Sequence, residues 1–226
     1  MNNVFILCNF GLGLWSWQRV GARLAVVSDT QRAARRGRGR RPLAQVREDV
    51  LNAATAVLMD EKVAGFTVDK VIRRSGVSSA TVYKYWPSRG ALMLDALVHA
   101  LGEVEAYRDT GDIRHDLIHA ADAFITMALT PPIGQIFAQL VGAAQVEKDL
   151  AAQFDDHYFG PRRRQALALL EAARNRGELK PDVDLDSVVD IVWGACYMRL
   201  LLPNLSGTLT HDFAPEVVDL ALNGAR

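Results

Sequence analysis

The sequence predicts an all-α protein from three observations. Apolar residues recur at three- and four-residue spacing through most of the 226 residues. No stretch alternates apolar and polar residues convincingly enough for a strand. One helix-opening pattern occurs three times in close succession, at Phe66-Thr67-Val71, Val77-Ser78-Val82 and Pro87-Ser88-Leu92: an apolar residue, a hydroxyl-bearing cap, then an apolar residue four positions past the cap.

Half of the residues are hydrophobic, enough at this length for one good core and one or two domains. The formal net charge is zero, but it averages two opposed halves. Residues 1–90 carry 15 Lys+Arg against 6 Asp+Glu, a net of +9, and residues 91–226 carry 11 against 20, a net of −9. That asymmetry predicts a polyanion-binding end joined to a different body. Cys8 and Cys196 are too few and too far apart for a disulfide framework or a zinc knuckle, which suits a reducing cytoplasm.

The chain opens with an apolar run from Val4 to Trp17 that lacks the basic start of a signal peptide and, at 14 residues, falls short of the ~20 that span a bilayer. It reads as a leader outside the fold, with a start near Val27 as one alternative and a weak targeting segment as the other. Arg35 to Pro42, "RRGRGRRP", cannot pack a core and is expected to stay flexible. Its arginines could thread a minor groove or form an unbound solvated tail. From Leu43, the spacing of Val46, Val50, Ala54, Val57 and Leu58 predicts a first helix ending at Gly65. The three caps then predict a short helix Val68–Arg74, the turn "SGVS" with Gly76 left-handed, a second short helix from Ser79, and a longer one from Ser88 toward Tyr107. Beyond Gly111, helices are expected near Asp112–Leu129, Ile133–Gln145, Tyr158–Arg176, Leu185–Leu202 and Phe213–Leu222, with breaks at Pro131-Pro132, Gly160-Pro161, Gly177 with Pro181, and Pro203. The segment from Leu185 is apolar on most of its circumference, so the chain's own core is expected to cover one side and a partner subunit the other.

The stretch "GVSSATVYKYWPSRG" carries the functional reading. Val82 is the residue that meets Val68, Val71 and Ile72 across the turn, which leaves Ser79, Ala80, Tyr83 and Lys84 on the open side. That face is short, polar and cationic. A major groove accepts such a helix end: Ser and Thr bond base edges, Ala touches a thymine methyl, and Tyr and Lys suit phosphates. Tyr85 and Trp86 follow Val82 at core spacing and are read as packing.

These residues, "FTVDKVIRRSGVSSATVYKYWPSRGALM", resemble the DNA-binding region of the TetR family of transcriptional regulators over about Val46 to Leu97. The resemblance implies a homodimeric, ligand-released repressor on a near-palindromic operator. Its parts would be a flexible leader and basic arm over 1–42, a helix-turn-helix DNA-binding domain over 43–106, and a helical effector-binding and dimerisation domain over 107–226. By similarity, Thr67, Tyr83, Lys84 and Arg89 would hold phosphates, with Ser78, Ser79, Ala80 and Thr81 nearest the bases. The implied partners are double-stranded operator DNA, a second copy and an unidentified small-molecule effector, with no cofactor, no membrane and a cytoplasmic location. Trp86 stands where phenylalanine is usual, and Gly90 replaces a common acidic residue.

Other residues have rival readings. His115 and His119, with Asp112, Asp116 and Asp122 nearby, could ligate a metal in a helical enzyme, or be the polar face of a helix. Arg162–Arg164 reads as a solvated ridge or an anion site. Trp193, Cys196, Tyr197 and Met198 could pack, line a pocket or form a dimer seam. A nonspecific DNA-coating protein using the arginine arm is the other rival. No nucleophile-and-base set or phosphate loop is present, and "GLGLWS" lacks the strand and helix that would give it meaning.

Overall fold

The computed structural model describes residues 42–102 and 107–225. The predicted leader and the Arg35–Arg41 cluster lie outside them. Eleven α-helices occur among the described residues: α1 Leu43–Gly65, α2 Val68–Ser75, α3 Ser79–Tyr85, α4 Arg89–Leu101, α5 Ile113–Leu129, α6 Ile133–Ala144, α7 Lys148–Phe154, α8 Gly160–Asn175, α9 Leu185–Leu201, α10 Pro203–Ser206 and α11 Phe213–Ala225. A π-helical turn, Asp155–Phe159, joins α7 to α8. No strand occurs among the described residues, so the all-α expectation holds.

Capping chemistry fixes the first helices. The side chains of Thr67, Ser78 and Ser88 accept the backbone N–H groups of Lys70, Thr81 and Ala91 at 3.3, 3.3 and 3.1 Å. Their flanking Phe66, Val71, Val77, Val82 and Leu92 are buried, as the staple arrangement requires, but Pro87 ahead of the third cap is exposed, so the third staple does not close. α1 is broken near its end at Lys62, where φ is 59° and ψ −175°, a conformation that strains a residue with a side chain.

Two expectations are corrected. The helix from Ser88 was expected to run toward Tyr107, but α4 stops at Leu101, where Gly102 takes φ 69° and turns the chain away. The Gly160-Pro161 pair was expected to break the chain, yet helix runs through it. Gly160 donates its N–H to the Asp155 carbonyl, five residues back, so the ladder skips the place where proline has no N–H to give. A Cβ on Gly160 would lie 2.4 Å from that carbonyl oxygen, so only glycine makes this closure. What reads as a breaker is the chemistry of a π turn, and α7 ahead of it was not foreseen.

Two apolar cores result. One gathers α1–α4 with Phe137 and Leu140 of α6, Leu150 and Phe154 of α7, and Tyr158 of the π turn. The other gathers α5, α8, α9 and α11 around Leu117, Leu170, Val192, Cys196 and Val218. The first therefore crosses the chain position between residues 102 and 107. One close joint is at Gly90 in α4, where an added Cβ would come within 3.1 Å of Leu150 in α7. The glycine that stands in place of an acidic residue thus lets the two helices approach. No single described helix is long and apolar enough to cross a membrane.

Candidate nucleic-acid interface

The helix-turn-helix is held from within. Gly76 caps α2 at φ 65°, and its N–H returns to the Ile72 carbonyl. Val77 donates its N–H to the Ser75 hydroxyl at 3.3 Å, which ties down the turn. Val82 is fully buried against the head. This one contact row orients α3, a helix of only seven residues.

The opposite face is open. Ser78, Ser79, Ala80 and Lys84 are exposed, Thr81 is half-buried and Tyr83 is 50 % exposed. The Ser78 hydroxyl bonds the Thr81 hydroxyl at 2.8 Å as well as capping the helix. Lys84 places its ammonium 5.6 Å from the Tyr85 ring centroid. Lys70 and Arg74 of α2 are paired with Glu61 and Asp60 at 3.0 Å each, while Lys84 has no ion pair among the described residues. Thr67 is exposed at the start of α2 and caps it.

Arg89 is placed differently. It is half-buried, its Nε donates to the Phe66 carbonyl at 3.0 Å, and Nη2 donates to the Val63 carbonyl. Two of its three nitrogens therefore clasp the end of α1 to the start of α4. Trp86 is 2 % exposed, and its indole N–H donates to Asp95 Oδ2 at 2.8 Å. Arg47 shares that oxygen at 3.3 Å and sits 5.8 Å from the Trp86 ring centroid. Tyr85 is half-buried and meets Trp86 edge-on. Both aromatics are packing residues, as read from their spacing.

The rival clusters fall apart in space. Asp112 caps α5 by accepting the His115 N–H at 3.1 Å, and buried Asp116 accepts the Thr110 N–H and hydroxyl at 3.0 and 2.6 Å. Asp122 pairs with His211 at 2.5 Å. No metal-competent group of three or more His, Cys, Asp or Glu forms among the described residues.

The arginine run is not a uniform ridge, because its members turn different ways. Arg163 bridges Asp186 and Asp190 of α9 at 2.6 Å each, and those hydrogen bonds raise its pKa. Arg162 turns inward, with its guanidinium carbon 3.8 Å from the Tyr158 ring centroid. It lines a cavity of about 60 Å³ together with Tyr107, Phe124, Tyr158, Trp193 and Tyr197. Of the four α9 residues with open readings, Trp193 and Tyr197 face this cavity, Cys196 is core and Met198 is exposed. Burial pushes the Cys196 thiol up to about 12, so it stays protonated and unreactive. Sequence reasoning marked Arg162–Arg164 together as a ridge or an anion site, from cations at a helix start where they oppose the dipole, but did not single out Arg162 as the one that turns inward.

Comparison with known proteins agrees over both halves. Residues 50–96 match the family model for bacterial regulatory proteins of the tetR family, and residues 107–221 match a tetracyclin repressor-like C-terminal domain. The HTH-type transcriptional regulator YdeS of Bacillus subtilis is 33 % identical over 175 residues, covering 77 % of this chain and 85 % of that protein. The DNA-binding transcriptional repressor TetR of Mycobacteroides abscessus is 28 % identical over 171 residues, covering 75 % and 88 %. The crystal structure of the TetR family transcription regulator SCO0332 is 41 % identical, with a TM-score of 0.70 over 80 % of this chain and 99 % of that one. The chain therefore belongs to the TetR family of bacterial transcriptional regulators, which are DNA-binding proteins and not enzymes.

Proposed function

We propose that this regulator is a cytoplasmic repressor that binds a near-palindromic operator as a homodimer and leaves it when a small molecule fills the α5–α9 cavity. One observation carries the reading: α3 buries Val82 completely and turns toward solvent a face with Tyr83 half exposed and Lys84 free of any ion pair among the described residues. A groove-reading helix needs that division. In this reading residues 43–106 are the reading head and residues 107–226 the effector-binding and dimerisation body. Thr67, Tyr83 and Lys84 hold phosphates, while Ser78, Ser79, Ala80 and Thr81 meet base edges. Arg89, engaged with two carbonyls, positions α4 and offers at most its remaining nitrogen to a phosphate.

Exposed apolar side chains on the outer side of the body support the dimer. Ile191, Met198 and Leu201 of α9 are 50, 48 and 38 % exposed, and Leu220 of α11 is 71 % exposed. Val188, Val192 and Cys196 fill the inner side of α9. A second copy covering the outer stripe would set two reading helices about 34 to 36 Å apart, or a multiple of that, to match operator half-sites. Effector release then needs a ligand that prefers one head separation, by ~5.5 kcal/mol for a full population reversal.

The test is selection of bound sites from a random duplex pool, then gel-shift titration on the selected operator. Lys84→Ala is expected to weaken binding uniformly and reduce the salt slope by about 1. Tyr83→Ala is expected to lose ~0.5–1.5 kcal/mol of affinity. Both should leave thermal stability within ~0.5 kcal/mol, since both side chains are exposed. Unchanged operator affinity in both variants would remove α3 as the reading element.

A further inference from the structure

The lining of the cavity, taken as the effector site proposed above, restricts what it can hold. Its walls are rings: Phe124 lies 4.9 Å from Tyr197 and 6.1 Å from Trp193, and Trp193 lies 6.1 Å from Tyr107, centroid to centroid. Such walls favour a flat, polarisable occupant over a bulky saturated one. The side-chain polar groups among the described lining residues can all donate hydrogens: the Arg162 guanidinium, the hydroxyls of Tyr107, Tyr158 and Tyr197, and the Trp193 indole. No Asp or Glu lines the cavity among the described residues. Burial raises all three phenols above their ordinary value, against the opposing pull of Arg162, so each keeps its proton at neutral pH.

Arg162 is held in place and has no ion pair among the described residues. Its Nη1 donates to the Tyr158 carbonyl at 3.4 Å and its guanidinium carbon lies over the Tyr158 ring, 3.8 Å from the centroid. No carboxylate of the described residues lies within ion-pair distance of it, whereas its neighbour Arg163 has two. A half-buried guanidinium facing ring walls and neutral donors has the complement of an anion attached to a flat ring. At about 60 Å³ the space is less than half of the ~150 Å³ that takes a benzene ring, so a one-ring compound enters only as the lining side chains move apart.

We propose that the cavity binds a planar aryl carboxylate, its ring among Phe124, Trp193 and Tyr197 and its carboxylate on Arg162 with support from the phenol O–H groups.

Three probes of similar size separate charge from shape: benzoate, benzamide and cyclohexanecarboxylate, each titrated calorimetrically into the full chain. Benzoate is expected to saturate one site per chain at up to about millimolar concentration, with the other two on the order of tenfold weaker. Arg162→Gln should erase the preference for benzoate over benzamide, and Arg162→Lys should keep part of it. Circular dichroism of each variant reports its folding. The wild-type selectivity stands as a test even if a variant does not fold. Benzamide binding as well as benzoate, or no saturable benzoate site, overturns the ligand class. Operator binding is read separately: if benzoate saturates the site and the operator stays bound, the ligand class stands and the release mechanism fails.

Discussion

Trp86 in the reading head and Trp193 in the body sit in opposite settings, the first beside the ring of Tyr85 and the second between those of Tyr107 and Phe124. Trp86 is 2 % exposed, its N–H is satisfied by Asp95 at 2.8 Å, and Arg47 closes over it. Trp193 is half-buried, meets Tyr107 and Phe124 edge-on at 6.1 Å each, and borders the cavity. The head has spent its aromatic on a closed joint, and the body has arranged its rings around a space. A part that must hold one shape against DNA gains from full packing, whereas a part that must respond needs somewhere to yield.

The largest effect expected from this contrast is at Trp86. Trp86→Ala should destabilise by ~3–5 kcal/mol through the cavity it leaves, measured by urea unfolding, and should abolish operator binding with it. Trp193→Ala should cost less than half as much, because one side of the ring already faces open space. Equal losses would erase the distinction between closed and open aromatic clusters.

The joint between the two regions comes next. Gly90→Val should cost ~1–3 kcal/mol, since even a Cβ there meets Leu150 at 3.1 Å. Leu150→Ala in the same chain should recover part of that loss, and a double-mutant cycle measures the coupling. Strict additivity would mean that α4 and α7 do not press on each other at this point.

The smallest effect belongs to the outer surface of the body. Arg163→Gln removes two ion pairs at 2.6 Å, but Arg163, Asp186 and Asp190 have side-chain exposures of 40, 59 and 67 %. The loss should stay under ~1 kcal/mol and shrink in high salt. A larger, salt-independent loss in thermal unfolding would show that this bridge locks α8 to α9 as firmly as packing does.

The same contrast explains what the sequence disclosed. Thr67, Ser78 and Ser88 announce their helices through neighbours within four residues, so the elements of the head could be placed from local chemistry alone. The outward face of α3 followed from Val82 in the same way. The Arg89 clasp could not be foreseen, because Val63 and Phe66 lie 26 and 23 residues earlier. Nor could the inward turn of Arg162, which depends on rings brought in from α5 and α9. The Asp95 that satisfies Trp86 and Arg47 is likewise a product of packing, not of spacing. Of the two covered sides expected for α9, the chain's own core supplies one, through Val188, Val192 and Cys196, while Ile191, Met198 and Leu201 face outward.

The π turn at Asp155–Phe159 also sets a rotational phase. One surplus residue turns everything after it by about 100° relative to an unbroken α-helix. Deleting any one residue there would let the ladder close regularly and leave Arg162 near its inward bearing, because the wide turn has already absorbed the surplus; straightening the turn at full length is what would swing Arg162 away. Homologous chains one residue shorter across this stretch would therefore show the same later side chains to the hollow through a plain α-helix, whereas chains of equal length without the wide turn would show different ones. Aligned letters alone would pair positions that point in different directions.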